Sequence, residues 1–383
     1  MTFRFCCAWL LLWLAAFLDI TGARADPIAS VPQTSAQALR DRDPVVHDYF
    51  ARSVELVFHE KHEACLALLD RFQRSHPDHP APDFLTAACY QSYMNTYRTN
   101  RFTAVMDRHV DAAITKGLAL LETVDDPWLH LYIGASFGFR ALNRFRRHAW
   151  IDALLNIGKS IDHLQAALAK APNLYDAYMG IGVYNYWRTA RSNFIRTVAF
   201  WMSDRREIGL QQLRFVVSNG VYAVQETSYN LIAAYIDAGR FQDALELVDR
   251  NIARKGASKI IDRYYRGRIL MALGQWPEAE TTYKALLRKL NRSPLAVDGY
   301  KADIGYRVAL SLYRQDRYAE ARRFTSAALD RCAQRRPEQE IESSFESFRD
   351  VRRQLERLHR QLADDLAAET GDTATADLVG QPS

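Results

Sequence analysis

The sequence predicts an all-α protein whose helices stack in pairs along an α-solenoid. Only 17 of the 383 residues are glycine and 12 are proline, and scarce turn formers favour long helices over sheets. From Val45 to about Gln334 the chain has helical character almost throughout. Small residues also recur at a nearly fixed distance along the chain, which is typical of positions where neighbouring helices touch.

The first 25 residues have the pattern of a cleaved signal peptide. Arg4 supplies a small positive charge, and the apolar run at 6–18 is shorter than the ~20 residues that span a membrane. An Ala-Arg-Ala cleavage site ends at residue 25. We therefore predict export to the periplasm and a mature chain that begins at Asp26, with an uncleaved membrane anchor as the alternative.

The remaining chain has ordinary globular composition. Without residues 1–25 the net charge is +4, which is mildly basic and gives no indication of nucleic-acid binding. Residues 26–44 are polar, contain proline and are predicted to form a linker. Three cysteines remain, Cys65, Cys89 and Cys332. Three do not make a disulfide framework, although export leaves open either a Cys65–Cys89 bridge or two buried thiols.

The repeat is clearest in the second half of the chain. Gly209, Ala244 and Ala279 follow one another at intervals of 35 residues, at positions where two helices must approach closely. Gly239 and Gly274 each end the first helix of a unit, because glycine enters a left-handed turn without strain. This pattern resembles the tetratricopeptide repeat, a helix pair with a period of ~34 residues.

The resemblance implies a right-handed α-solenoid of about seven helix pairs over residues 45–336. The stretch GIGVYNYW at 180–187 and the later segment 203–210 resemble exported bacterial tetratricopeptide proteins of unassigned function. Such a resemblance implies a fold and no activity. It favours a protein that holds other molecules instead of catalysing a reaction.

Three middle pairs depart from the regular spacing. Their close-contact residues are 25 to 27 positions apart, as from Gly134 to Ser160 and from Gly182 to Gly209, whereas the later pairs have 12. We interpret the extra length as an insertion between the two helices of pairs two to four. Because such connections emerge at one edge of a solenoid, the three insertions should lie side by side.

Aromatic and arginine side chains dominate these insertions. Tyr, Trp and Arg bury a large area at low entropic cost, and Arg also forks onto carboxylates and phosphates. We predict a basic, aromatic surface that binds a partner; the alternative is that the aromatic side chains only pack the insertions onto the solenoid. The candidate residues are Tyr97, Arg98, Arg101, Arg144, Arg146, Arg147, Trp150, Tyr184, Asn185, Trp187, Arg188, Arg191, Arg196 and Arg205.

Residues 337–368 have the pattern of one long amphipathic helix. Apolar residues recur every three or four positions from Ile341 to Leu366, as a narrow stripe on a charged helix. We predict a cap over the last pair, with a homodimeric coiled coil as the alternative. Residues 369–383 are predicted to be disordered.

We predict no catalytic, cofactor or metal site. Residues 134–138 fit G-x-S-x-G, but a nucleophile elbow needs a strand before Ser136, which instead falls inside a predicted helix. His59 and His62 are three positions apart, whereas the zinc motif H-E-x-x-H needs four.

The leading functional hypothesis is a periplasmic scaffold that binds a protein or peptide ligand. A membrane-surface or lipid-associated protein is the second, because the apolar stretch at 194–202 is flanked by arginine and fits a lipid interface. An enzyme of unrecognised kind is the third.

Overall fold

The regular structure is helical, as predicted. The computed structural model describes residues 40, 43–190 and 203–379, and within these parts it contains seven pairs of α-helices followed by one long helix. The predicted α-solenoid of about seven helix pairs is therefore confirmed. The predicted signal peptide and nearly all of the predicted linker lie outside the described residues.

Each helix packs against the next one along the chain. The pairs are α1 (Pro44–Phe58) with α2 (His62–Ser75), α3 (Pro80–Tyr97) with α4 (Thr103–Leu121), α5 (Pro127–Arg146) with α6 (Trp150–Lys170), α7 (Tyr178–Ala190) with α8 (Arg206–Asn219), α9 (Val224–Asp237) with α10 (Phe241–Lys255), α11 (Ile260–Ala272) with α12 (Trp276–Asn291), and α13 (Asp298–Tyr313) with α14 (Tyr318–Ala333). The long final helix is α15 (Phe348–Val379).

Small residues let the paired helices approach closely, at positions that the sequence predicts. A Cβ added to Gly209 would lie 2.6 Å from the backbone nitrogen of Tyr186 and 2.8 Å from the carbonyl oxygen of Gly182. Only glycine fits between α7 and α8 at that separation. In the sixth pair, a Cβ on Gly267 would lie 2.6 Å from the Tyr283 ring.

The extra length of pairs two and three lies in the helices themselves, which are longer. The sequence predicts an inserted segment between them. Helices α3 and α4 have 18 and 19 residues, and α5 and α6 have 20 and 21. In the last three pairs the helices have 13 to 16 residues. The apolar spacing continues through the extra residues, so the helices simply continue. In the fourth pair, residues 191–202 lie outside the described parts.

The third pair extends well beyond the point where its helices cross. Gly134 marks this crossing, and α5 continues for 12 residues to Arg146. In the sixth pair, α11 continues only five residues beyond Gly267, to Ala272. At 1.5 Å per residue, the end of the third pair lies roughly 10 Å farther out. We call residues 140–155 the α5–α6 tip.

The C-terminal helix begins later and ends later than predicted. Residues 337–347 form a short 3-10 turn and an irregular segment, and α15 then continues from Phe348 to Val379 into the stretch predicted to be disordered. The irregular segment does not continue the helix because its backbone bonds elsewhere: Ile341 N–H donates to the carbonyl of Arg98 at 2.8 Å. Leu355 and Leu362 of the apolar stripe are fully buried in one core with α13 and α14. The stripe therefore forms a cap over the last pair.

The two ends of the solenoid meet. Thr99, in the α3–α4 turn, forms an antiparallel bridge with Glu340. Glu60, in the α1–α2 turn, accepts from Ile260 N–H at 2.7 Å and forms an ion pair with Lys289 at 2.9 Å. These contacts join residues 200 or more positions apart. The superhelix thus closes, with pairs one and two against pairs six and seven and the 337–347 segment.

A buried ionic cluster lies at this closure. Arg98, only 6% exposed, donates to Asp303 Oδ2 at 2.8 Å, and its guanidinium lies 4.0 Å from the ring centroid of Tyr300. Arg307 donates to the other Asp303 oxygen at 3.0 Å. Burial alone would raise the pKa of Asp303, but Arg307 and Arg98 outweigh it and hold the pKa below its ordinary value.

Candidate functional site

Three of the predicted partner-binding residues are buried or half-buried in the packing of the solenoid. Arg98 is buried in the closure and paired with Asp303. Tyr97 is half-buried against the core of the last pairs. Asn185 is buried and donates to Gln212 Oε1 at 2.8 Å. Tyr97 and Arg98 are predicted from the sequence to lie on an open edge, whereas the α3–α4 turn packs against the far end of the chain. Asn185 lies instead between α7 and α8.

The predicted residues of the fourth pair are partly covered. Tyr184, Trp187, Arg188 and Arg205 are all half-buried. The Arg188 guanidinium lies 5.6 Å from the Tyr184 ring centroid, and Trp187 packs edge-on against Tyr186 at 5.0 Å. Both contacts lie within α7. Arg191 and Arg196 lie outside the described residues.

Arg101 is exposed but separate from the others. It lines an open cleft of about 790 Å³ between the α3–α4 turn, the α12–α13 connection and residues 334–340. The three connections therefore do not form one surface. The α3–α4 turn belongs to the closure, whereas the α5–α6 tip projects from the solenoid.

The α5–α6 tip brings together the remaining predicted residues, Arg144, Arg146, Arg147 and Trp150. The tip carries six of the nine large apolar side chains that the described part of the chain exposes, Trp150 included. They are Leu142 (39% exposed), Phe145 (38%), Trp150 (51%), Ile151 (65%), Leu154 (41%) and Leu155 (46%). This group of exposed apolar side chains makes the tip the candidate binding surface.

Helical geometry explains why these apolar side chains form one surface. Ile151, Leu154 and Leu155 have i, i+3, i+4 spacing and share one face of α6. The rings of Phe145 and Trp150 meet edge to face at 4.7 Å across the α5–α6 turn, which joins that face to α5. Trp150 is predicted from the sequence as a binding residue, whereas its aliphatic neighbours are not, although their helical spacing indicates an apolar face.

Two of the arginines at the tip already have carboxylate partners. Arg140 lies 2.5 Å from an Asp111 oxygen, and Arg147 lies 3.1 Å from an Asp107 oxygen. Both acids belong to α4, so these ion pairs connect the second and third helix pairs. The charge of these two guanidinium groups is therefore neutralised within the protein.

Arg146 has a different environment. It donates to Asn95 Oδ1 at 2.7 Å, and the Gln91 amide, oriented with its oxygen toward the guanidinium, accepts a second bond at 3.0 Å. Burial lowers the pKa of Arg146 to about 10. Among the described side chains, no carboxylate lies within 4.0 Å of this guanidinium. Arg146 is a half-buried cation whose described partners are neutral.

The sequence motifs that resemble catalytic or metal-binding patterns lie in or beside helices. Ser136 of the G-x-S-x-G stretch is fully buried in the middle of α5, with no strand before it. His62 is buried against the Tyr93 ring, and burial lowers its pKa to about 4. No group of three or more His, Cys, Asp or Glu side chains in the described parts is arranged to hold a metal ion. The described helices include none that is long and apolar enough to cross a membrane.

Cys65 and Cys89 are free, fully buried thiols on neighbouring helices. Each sulfur lies 3.6 Å from a backbone carbonyl oxygen, of Ser53 and His62 respectively. Of the two possibilities left open by the sequence, the structure has the buried thiols.

The stacked helix pairs, with small residues at their crossings, define a tetratricopeptide-like α-solenoid. No family model matches the chain, and no curated protein matches it. Among solved structures it is similar to Naa15/Naa10 bound to HypK-THB, with 13% identity over 85% of this chain and 42% of that chain, at a TM-score of 0.30. It is also similar to the TPR domain of P58(IPK), with 13% identity over 91% of this chain and 97% of that chain, at a TM-score of 0.26.

Proposed function

We propose that this protein is an exported, periplasmic scaffold that binds a partner protein through its α5–α6 tip and performs no catalytic step. The observation that carries the proposal is the group of six large apolar side chains exposed together at the tip, Trp150 and Phe145 among them. Large apolar patches beside arginine are typical of protein-binding surfaces, and Trp and Arg contribute most of the binding energy in such surfaces.

Export is the part of this proposal supported by sequence alone. The pattern in residues 1–25 is that of a signal peptide cleaved before Asp26. N-terminal sequencing of the protein recovered from the periplasmic fraction tests it. A chain that keeps its first residues, or one found only inside the cell, would contradict export.

Site-specific crosslinking tests the binding surface. A photoreactive amino acid at Ile151 (65% exposed) should form an adduct with a partner in intact cells, whereas the same group at Val124 (53% exposed, away from the tip) should not. The double substitution Trp150→Ser and Ile151→Ser should reduce binding of that partner, once identified and purified, by at least about tenfold. Equal adducts from both positions, or none, would refute the proposal.

A lipid surface is the second candidate for the same apolar patch. Tryptophan and arginine also occur together where proteins lie in a membrane interface. Flotation of the mature protein with vesicles of phosphatidylethanolamine and phosphatidylglycerol separates the two functions. Flotation that is lost in Trp150→Ser would replace the protein partner with lipid.

A further inference from the structure

We propose that the α5–α6 tip recognises an acidic, amphipathic segment of the partner protein, and that Arg146 binds a carboxylate of that segment. This inference rests on the function proposed above, and it specifies the chemistry of the partner. Its three supports are the environment of Arg146, the charges around it and the apolar surface beside it.

The environment of Arg146 is built for an anion. Burying a guanidinium is unfavourable unless its charge is compensated, and the amides of Asn95 and Gln91 supply hydrogen bonds but no negative charge. These amides occupy two of the five N–H donors. They also hold the planar group in one orientation, so a carboxylate that binds the remaining donors loses little additional entropy and gains a charge-assisted pair.

The chain near the tip leaves that charge unmatched. Asp107 and Asp111 are already bound to Arg147 and Arg140, and Asp152, in the first turn of α6, forms no ion pair with Arg146 in the described structure. Residues 189–202, the nearest connection of the fourth pair in sequence, contain Arg191 and Arg196 but no Asp or Glu. That connection can supply apolar side chains but no carboxylate, so we assign the carboxylate to a partner.

The apolar surface defines what must flank that carboxylate. Ile151, Leu154 and Leu155 lie along one face of α6, and the Phe145–Trp150 contact continues this face to the helix that carries Arg146. A partner helix with apolar residues on one face would cover such a surface in the helix-in-groove manner. The acidic residue would then lie at the edge of its apolar face.

The charge pattern favours a peptide segment over a lipid surface. Attraction to anionic lipid sums over several unpaired basic side chains and needs no fixed orientation of any one of them. At the tip, Arg140 and Arg147 are paired with carboxylates, Arg144 is half-buried, and Arg146 is held in one orientation by two amides. A single oriented guanidinium matches one planar carboxylate.

A displayed library of random 16-residue peptides, selected on the full mature chain, tests the inference. Peptides that bind the wild type should be enriched in Asp or Glu flanked by apolar residues. For a selected peptide, Glu→Gln should weaken binding to the wild type by about tenfold in fluorescence anisotropy, and this difference should vanish in Arg146→Gln. Arg147→Gln, which removes a neighbouring guanidinium already paired with Asp107, is the matched control and should keep the difference.

The outcomes separate this inference from the proposed function. The selected peptides could need Trp150 and Ile151 but show no enrichment in Asp or Glu. That result would overturn the role of Arg146 and would still support the tip as the binding surface. If no selected peptide needs the tip for binding, both the proposed function and the role of Arg146 are overturned. Binding to phosphatidylglycerol vesicles that depends on Arg146, without peptide selection, would assign the site to lipid. Circular dichroism of Arg146→Gln verifies that it folds.

Discussion

At the residue scale, the closest helix contacts depend on glycines that the sequence places correctly. Gly182 and Gly209 face each other between α7 and α8, and Gly267 lies against Tyr283. The sequence reveals these positions because a repeat forces the same small residue to the same register. The sequence does not reveal the structural role of Arg98. No local pattern shows that this turn residue will contact Asp303, which lies 205 positions later in the chain.

The glycine contact between α7 and α8 leads to a first prediction. Gly209→Ala should lower the free energy of unfolding by about 1–3 kcal/mol, because the new Cβ meets backbone atoms that cannot move aside. Gly158→Ala, in α6 with nothing within 4 Å of the new Cβ, is the control and should be stabilising by about 0.5–1 kcal/mol. Urea unfolding measures both. Equal effects of the two substitutions would argue against the close approach.

The buried thiols give a second prediction at this scale. A hydrogen bond between the Cys89 and Cys65 thiols, together with burial, raises the pKa of the Cys89 thiol well above its ordinary value. Its reactive thiolate form is therefore scarce. Neither thiol should react with iodoacetamide in the folded protein, and both should react after unfolding without reductant. Mass spectrometry of the labelled peptides measures this, and a linked Cys65–Cys89 peptide would contradict the free-thiol structure.

At the element scale, the sequence shows that pairs two to four are longer, but not how the length is used. Spacings of 25 to 27 residues fit an insertion between two helices as well as they fit two longer helices. The deciding feature is the apolar period, which continues without a break through Leu142 and Phe145 to the end of α5. The tip follows from this, since α5 and α6 are longer than the described helices of the second and fourth pairs.

The cap formed by α15 carries a prediction of its own. Leu355 is fully buried in the core shared with the seventh pair, so Leu355→Ala should be destabilising by about 2–5 kcal/mol. Arg353→Ala, on the exposed face of the same helix, should change stability little. Thermal unfolding followed by circular dichroism compares them. A homodimeric role of the stripe would instead make the effect of Leu355→Ala depend on protein concentration.

At the scale of the whole molecule, closure depends on a few buried charges. Arg98→Ala should be destabilising by about 3–5 kcal/mol, because it leaves Asp303 buried without one of its two cations. The variant should also have a larger radius of gyration in small-angle X-ray scattering, as the ends separate. Arg240→Ala removes an exposed ion pair with Asp243 and serves as the control. An unchanged radius in Arg98→Ala would show that other contacts suffice for closure.

The same cluster predicts how stability depends on pH. Arginine neighbours hold the pKa of Asp303 and of Glu346 below their ordinary values of 3.8 and 4.5. Because these carboxylates have lower pKa values in the folded state, their contribution is complete above pH ~4.5 and is lost as the pH falls through the folded values. Urea midpoints between pH 3 and 6 measure the loss. Asp303→Asn should make the urea midpoint depend less on pH in that range. An unchanged pH dependence would contradict the contribution of Asp303.

The bridge between Thr99 and Glu340 also limits how this protein can evolve. Most repeat arrays gain and lose whole units readily, because each unit touches only its neighbours. In this chain a duplicated or deleted helix pair would move the 337–347 segment away from the α3–α4 turn. It would also separate Arg98 from Asp303. The number of units is thus set by geometry, and homologues that retain the bridge should retain seven.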